Sequence, residues 1–209
     1  KARMAQRIYR LDRVSEVPLS RGEFRLAQAR DADLAEQWGR AYHEEIHGGA
    51  SAEEPMDDFR AKIGSQELYL WEDEAPVSMA ARSRATENGI RINGVYTPPT
   101  LRCRGYATSC VAMLCRELLG MGYRFCTLYT DLANPTSNGI YQKIGKDIHV
   151  LDLYTKEYRL SDAKVDDGVK DILRERDWAK KLAGLRNNPH PQAQFLWATF
   201  RDVFHYCAL

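Results

Sequence analysis

The chain has 209 residues, of which 44% are hydrophobic and 10% are aromatic. This length suffices for one domain with a full hydrophobic core and a small appendage. The chain has 30 Lys and Arg residues and 29 Asp and Glu residues. Because these charges nearly balance, net charge gives no argument for nucleic acid or an anionic membrane as partner. No apolar run approaches the roughly 20 residues that a membrane span needs.

The cysteine pattern favours a reducing compartment. The five cysteines are an odd number, and none lies in a CxxC pair, so neither a disulfide framework nor a zinc site is indicated. The N-terminus is basic but lacks the apolar stretch of a secretory signal. We therefore predict a cytoplasmic protein without a metal.

Apolar periodicity predicts alternating strands and helices in the first third of the chain. Residues 8–14 alternate between apolar and polar and predict an edge strand, and residues 24–28 predict a second strand. Asp31 is a good N-cap for a helix that the Gly48-Gly49 pair would stop. A second short helix is predicted over residues 55–63.

The sequence pattern in the middle of the chain predicts a sheet with two inserted helices. Strands are predicted over residues 67–72, 76–83, 90–97, 125–130, 148–151 and 153–160. Helices are predicted over residues 107–120 and 135–143. The fold class is therefore α+β.

Beyond Leu160 the pattern becomes helical and is interrupted at Asn187-Asn188-Pro189. We expect an N-terminal extension over residues 1–22, a main domain over residues 23–160 and a helical C-terminal extension over residues 161–209.

The segment VYTPPTLRCRGYA, residues 95–107, carries the first chemical signal. A strand enters a loop with two arginines and a glycine, and the loop opens into a helix, whose N-terminal N–H groups favour a phosphate. Gly105 would allow close approach of a pyrophosphate, and Arg102 and Arg104 add charge. A surface turn with solvated arginines is equally consistent. The nucleotide patterns GxxxxGK[ST] and GxGxxG are absent.

The segment NPTSNGIYQKIG, residues 134–145, carries the second signal. Tyr141 follows Asn134 by seven residues and would lie on almost the same helix face. A phenol, with an ordinary pKa of about 10, can donate a proton to a thiolate leaving group. The alternative is that Tyr141 only packs in the core.

Together and in this order, the two segments resemble the signature motifs of the GNAT superfamily of N-acetyltransferases. The first motif, [QR]-x-x-G-x-[GA], is matched by residues 102–107, RCRGYA. The second, Asn-x-x-Ala-x-x-x-Tyr-x-x-x-Gly-Phe, is matched by Asn134, Tyr141 and Gly145. Lys146 departs from the aromatic residue of the motif. The resemblance covers roughly residues 24–160.

The resemblance implies a GNAT fold: a mixed, mostly antiparallel sheet of about six to seven strands, splayed at its centre and flanked by helices. It implies that acetyl-CoA is the co-substrate and that Tyr141 is the general acid toward the CoA thiolate. The strand around Val95 and Thr97 would hold the pantetheine arm. The remaining cofactor-binding residues that it implies are Arg102, Arg104, Gly105, Tyr106, Ala107, Thr108 and Asn134.

The implied activity is direct acetyl transfer from acetyl-CoA to an amine of a small molecule or a protein, and a homodimer is left open. A non-catalytic acyl-CoA-sensing or protein-interaction module on the same fold is the alternative. The general base is unassigned: Glu44 and Glu45 are candidates, but a solvated helix face explains them equally well. Asn93, Trp71 or Arg82 would line the acceptor cleft, depending on a strand register that the sequence does not fix.

The C-terminal extension resembles a helical portion of 3-hydroxyacyl-CoA dehydrogenases over a short stretch that brings no catalytic motif.

Overall fold

A computed structural model describes residues 6–47, 58–83, 85–131, 133–145, 148–154, 157–160, 178–189, 193 and 197. The strands are β1 (Gln6–Leu11), β2 (Glu23–Leu26), β3 (Leu68–Asp73), β4 (Ala75–Ser83), β5 (Gly89–Tyr96), β6 (Phe125–Asp131), β7 (Ile148–Tyr154) and β8 (Glu157–Leu160). The helices are α1 (Ala32–His47), α2 (Phe59–Gly64), α3 (Tyr106–Gly120), α4 (Pro135–Ile144) and α5 (Trp178–Asn187).

The chain forms two compact units. The larger contains residues 9–129 and 134–148, and the smaller contains residues 1–8, 130–133 and 149–209. In the larger unit the strands follow the order β2-β3-β4-β5-β6-β1. The first three of these pairs are antiparallel, and β5 runs parallel to β6. This six-stranded, mostly antiparallel sheet with flanking helices confirms the α+β architecture expected from the resemblance.

One face of this sheet packs against α1 and α2. Trp38 of α1 and Phe59 of α2 join Leu70, Met79 and other buried residues in one apolar cluster. Because Leu70 and Met79 are opposite each other in the β3–β4 register, their side chains share a face. Each such fully buried side chain stabilises the fold by about 1.5–3 kcal/mol.

Helix α3 packs against the sheet through strands β3, β4 and β5. Its buried residues include Cys110, Cys115 and Leu118, so the thiols here act as small core side chains. Burial raises the pKa of the Cys110 thiol. This helix starts directly at the loop that the sequence singled out.

Strand β1 is buried on both faces. In the larger unit it is the last strand of the order and lies beside β6. Ile8 and Tyr9 are 1% and 0% exposed. Because successive strand residues point to opposite faces, both faces of β1 are covered.

Two element boundaries differ from expectation, and a third agrees with it. Helix α2 begins at Phe59, because the Asp58 side chain accepts a hydrogen bond from the Ala61 N–H and caps the first turn; the predicted start at residues 55–57 lies outside the described residues. The hairpin of β7 and β8 closes at the pair Tyr154↔Glu157, three residues later than predicted. Helix α5 ends at Asn187, as the Asn-Asn-Pro break predicted, and the second tail helix lies outside the described residues.

Candidate functional site

The centre of the sheet opens where β5 and β6 separate. Their parallel pairs run from Gly89↔Phe125 to Ile92↔Leu128 and then stop, although both strands continue within the described residues. On the other side of β5, the register with β4 shifts by one residue between the pairs Met79↔Tyr96 and Ala81↔Asn93. A bulge and a splay therefore coincide in the C-terminal half of β5, which confirms the central opening expected from the sequence.

Gly94 makes this bulge possible. Its φ angle is +60°, a conformation that glycine adopts without steric cost. A Cβ atom there would lie 2.6 Å from Cε1 of Phe59. The close packing of Phe59 against this backbone therefore also requires a residue without a side chain. A glycine within a strand pattern is a sequence signal for a bulge, and Gly94 carries that signal.

The loop after β5 leads to an open helix N-terminus. Gly105 is the N-cap of α3, with φ +81° and no capping side chain. The first hydrogen bond of the helix joins the Ser109 N–H to the Gly105 carbonyl. The N–H groups of Tyr106, Ala107 and Thr108 therefore have no carbonyl acceptor within the helix. The first turn carries no acidic residue. These features fit a bound pyrophosphate.

Ser20, in the segment between β1 and β2, fastens this loop. Its hydroxyl donates to the Arg104 carbonyl at 2.8 Å, and its N–H donates to Ser109 Oγ at 2.8 Å. A Cβ on Gly105 would come within 2.7 Å of the Ser20 hydroxyl. Ser20 thus brackets Gly105 from both sides. No local pattern around Ser20 indicates this contact, which spans 89 residues.

The two loop arginines have different surroundings. Arg102 donates from Nε to the Thr97 carbonyl at 2.9 Å and from Nη2 to Glu45 at 2.5 Å. It therefore links the end of β5 to α1, and its role in pyrophosphate binding stays a prediction. Arg104 is exposed beside the start of α3.

Tyr106 contributes to the loop through its backbone. Its hydroxyl donates to Asp73 at 2.8 Å, and this hydrogen bond raises the pKa of the Tyr106 phenol. The aromatic ring is buried, so it anchors the first turn of α3 to the turn between β3 and β4. Thr97 is also anchored: its hydroxyl lies 2.8 Å from that of Ser78. Val95 lies in the splayed part of β5.

Asn134 caps helix α4, since its Oδ1 accepts the Ser137 N–H at 3.0 Å. Asn138, which the sequence analysis did not identify, is buried and donates from Nδ2 to the Asn134 carbonyl at 2.6 Å. The Tyr9 hydroxyl donates to Asn138 Oδ1 at 2.8 Å. Strand β1 is thereby connected to the helix that carries the second motif.

Tyr141 lies in the interior of the larger unit. Its ring meets that of Tyr9 edge-on, with centroids 5.5 Å apart, and only 6% of the residue is exposed. Burial raises the pKa of its phenol, and the nearby Tyr42 adds to the rise. A raised pKa keeps the hydroxyl protonated at neutral pH, which an acid requires before it donates.

The sheet register settles which of three candidate side chains faces which way. Asn93 is opposite Ala81, a member of the cluster under α1 and α2. Trp71 is opposite Ser78 and is adjacent to the Leu70↔Met79 pair, which belongs to the cluster under α1 and α2. Because adjacent strand residues point to opposite faces, Trp71 faces the α3 side. Arg82 follows Ala81 and also faces the α3 side. Only Asn93 shares the face of α1, where Glu44 and Glu45 lie exposed.

Two absences hold for the described residues. No group of three or more His, Cys, Asp or Glu side chains there is arranged to hold a metal ion. No helix in that part of the chain is long and apolar enough to cross a membrane.

The family follows from these features and from comparison with known proteins. A model of the acetyltransferase (GNAT) family matches residues 25–145, more than half of the chain. The chain belongs to the GNAT acetyltransferase family, whose members are acyltransferases. No curated protein sequence matches it significantly.

Several solved structures resemble this chain at low sequence identity. A GNAT-family acetyltransferase from Colwellia psychrerythraea is 10% identical with a TM-score of 0.51, over 72% of this chain and 55% of that one. One from Novosphingobium aromaticivorans is 16% identical with a TM-score of 0.49, over 71% of this chain and 63% of that one. Both matches span less than two thirds of the solved protein. A Brucella melitensis member in complex with acetyl-CoA is 18% identical with a TM-score of 0.46, over 56% of this chain and 80% of that one.

Proposed function

We propose that this protein transfers an acetyl group from acetyl-CoA to the nitrogen of an amine. The observation that carries the proposal is the succession of three features along one stretch of chain. The β5–β6 pairing ends at Ile92↔Leu128, the Gly94 bulge follows, and the loop then enters the uncapped N-terminus of α3 at Gly105. An open strand edge suits an extended pantetheine arm, and a free helix N-terminus suits its pyrophosphate.

The residues of this stretch take distinct roles in the proposal. Val95 and Thr97 present backbone groups to the pantetheine arm, although the Thr97 carbonyl already accepts from Arg102. The N–H groups at residues 105–108 and the exposed Arg104 side chain hold the pyrophosphate. Asn134 fixes the start of α4 and, through it, the position of Tyr141.

In the transfer, the neutral amine attacks the thioester carbonyl carbon, so that a C–N bond forms and the C–S bond breaks. The amine nitrogen loses one proton to solvent. Tyr141 gives its phenolic proton to the departing sulfur and regains one from solvent. The proton balance therefore closes without a covalent enzyme intermediate.

The test is the rate of CoA thiol release from acetyl-CoA in the presence of a panel of amines, for wild type and for Tyr141→Phe. We expect kcat to fall at least about 100-fold in the variant, with little change in the affinity for acetyl-CoA. Full activity of Tyr141→Phe would refute its role as acid. Binding of acetyl-CoA without turnover of any amine would favour the acyl-CoA-sensing module.

A further inference from the structure

We infer that Arg91 forms an anion subsite on the acceptor side of the sheet, so that the acceptor is an amine that also carries a carboxylate. This inference rests on the proposed acetyl transfer, because it specifies the acceptor for that same site.

Arg91 lies at the point where the sheet begins to open. It is opposite Ser83 on β4 and Thr127 on β6, and the pairing of β5 with β6 ends one residue later. The guanidinium Cζ lies 4.3 Å from the ring centroid of Tyr129. Because Tyr129 lies beyond the last paired residue of β6, the guanidinium leans towards the splay rather than away from it.

Arg91 shares its face with Asn93, two residues further along β5. Asn93 is opposite Ala81, which belongs to the cluster under α1 and α2. The face is thus the one opposite to α3. A group bound at Arg91 lies on the α1 side, about 10 Å along the strand from Gly94, at three residues of separation.

The Arg91 guanidinium has no anionic partner within the described part of the chain. Its Nε is buried without a hydrogen-bond partner, and so is the hydroxyl oxygen of Ser83 directly opposite. Two other arginines of the sheet behave differently: Arg10 binds Asp12 at 2.8 Å, and Arg25 binds Asp31 at 2.7 Å. Buried polar groups are normally satisfied, so two adjacent unsatisfied groups point to a bound acceptor oxygen.

The chemistry of these groups selects a carboxylate. A guanidinium offers several N–H donors in one plane and meets both oxygens of a carboxylate at once. The Ser83 hydroxyl supplies a further donor. A single guanidinium balances one negative charge, which matches a carboxylate better than a phosphate dianion, and the Tyr129 ring covers one side of the cation.

Arg82 provides a matched control. It also has a buried Nε without a hydrogen-bond partner, and it is one residue from Ser83 but on the α3 face. There it has a carboxylate in its vicinity: burial raises the pKa of Tyr69 to about 12, Glu117 adds to the rise, and Arg82 opposes it. Removing Arg82 therefore removes a sheet arginine without touching the acceptor face.

The experiment compares L-amino acids with their α-carboxamides as acceptors, and spermidine as an amine without a carboxylate, for wild type, Arg91→Ala, Arg91→Lys and Arg82→Ala. We expect wild type to prefer the acids. In Arg91→Ala the KM for the acid rises at least about tenfold, while the KM values for acetyl-CoA and for the amide stay unchanged. Arg91→Lys is intermediate, and Arg82→Ala keeps the wild-type preference.

Wild-type preference for the amides or for spermidine would overturn the inference, as would an unchanged KM for the acid in Arg91→Ala. If Arg91→Ala does not fold, Ser83→Ala carries the same comparison, with a KM for the acid expected to rise about threefold. Calorimetric titration of the same preparations with acetyl-CoA separates the two proposals. Absence of acetyl-CoA binding in wild type refutes the proposed function, whereas binding with acetylation of spermidine or of the amides but of no amino acid refutes this inference alone.

Discussion

The Tyr9 hydroxyl donates a hydrogen bond of 2.8 Å to Asn138 Oδ1 across 129 residues of sequence. Tyr9 belongs to β1, which precedes the part of the chain matched by the family model. Asn138 belongs to α4, which also carries Asn134 and Tyr141. An N-terminal strand outside the matched region therefore holds the helix of the second motif.

We predict that Tyr9→Phe lowers the free energy of unfolding by about 1–2 kcal/mol, because the buried Asn138 loses a donor while the aromatic packing stays. The variant also lowers kcat more than it raises the KM for acetyl-CoA, since α4 is held less firmly. Urea unfolding and steady-state kinetics measure the two effects. Tyr123→Phe, at a half-buried tyrosine beyond the end of α3, is the control, and equal effects of the two substitutions would contradict the positioning role.

We predict that Ser20→Ala weakens the binding of acetyl-CoA roughly three- to tenfold, because the loop loses the hydrogen bond that fixes the Arg104 carbonyl. The kcat value at saturating acetyl-CoA stays at the wild-type level. Calorimetric titration gives the affinity. Ser65→Ala is the control, because it removes a hydroxyl at the end of α2. An equal loss of acetyl-CoA affinity in both variants would contradict a specific role of Ser20 in positioning the loop.

Gly105→Ala tests the loop backbone itself. At φ +81° an alanine costs about 1–2 kcal/mol, and its Cβ would meet the Ser20 hydroxyl at 2.7 Å. We predict a lower melting temperature and at least about a tenfold loss of affinity for acetyl-CoA. Gly120→Ala is the matched control, because a Cβ there meets nothing within 4 Å. Wild-type affinity in Gly105→Ala would remove the pyrophosphate assignment.

The ion pair at the start of α1 gives a prediction for pH. Asp31 is 5% exposed and accepts from Arg25, and this hydrogen bond lowers the pKa of its carboxyl. A lowered pKa in the folded state stabilises the protein above the ordinary value of about 3.9, and the contribution is lost as the pH falls through the folded-state value. Asp31→Asn therefore costs about 2 kcal/mol at neutral pH.

Urea unfolding across the acid range measures this dependence. The difference between wild type and Asp31→Asn should narrow as the pH falls below about 3.9. Asp33→Asn is the control, because Asp33 is exposed and its pair with Arg60 is solvated, so the change should stay within about 0.5 kcal/mol. A difference for Asp31→Asn that does not depend on pH would contradict the assigned ion pair.

Local patterns predicted much of this fold. The periodicity of α1 and α3, the strands of the central sheet and the Gly105 turn all depend on neighbours in sequence, which a single chain displays. The central opening followed from the family resemblance, and the structure confirms it.

The contacts that support the site depend on distant parts of the chain. Ser20 reaches Ser109, and Tyr9 reaches Asn138, through pairings that leave no periodic signal. The face of Asn93 and Arg91 depends on strand register, which one-residue slips would reverse.

Calorimetric titration with acetyl-CoA, with NADH as an unrelated ligand, tests the central claim most directly. The loop at Gly105 and the splay of β5 predict saturable binding of acetyl-CoA at one site and no response to NADH. The absence of binding to acetyl-CoA would contradict the assignment of both features and, with it, the proposed transfer reaction.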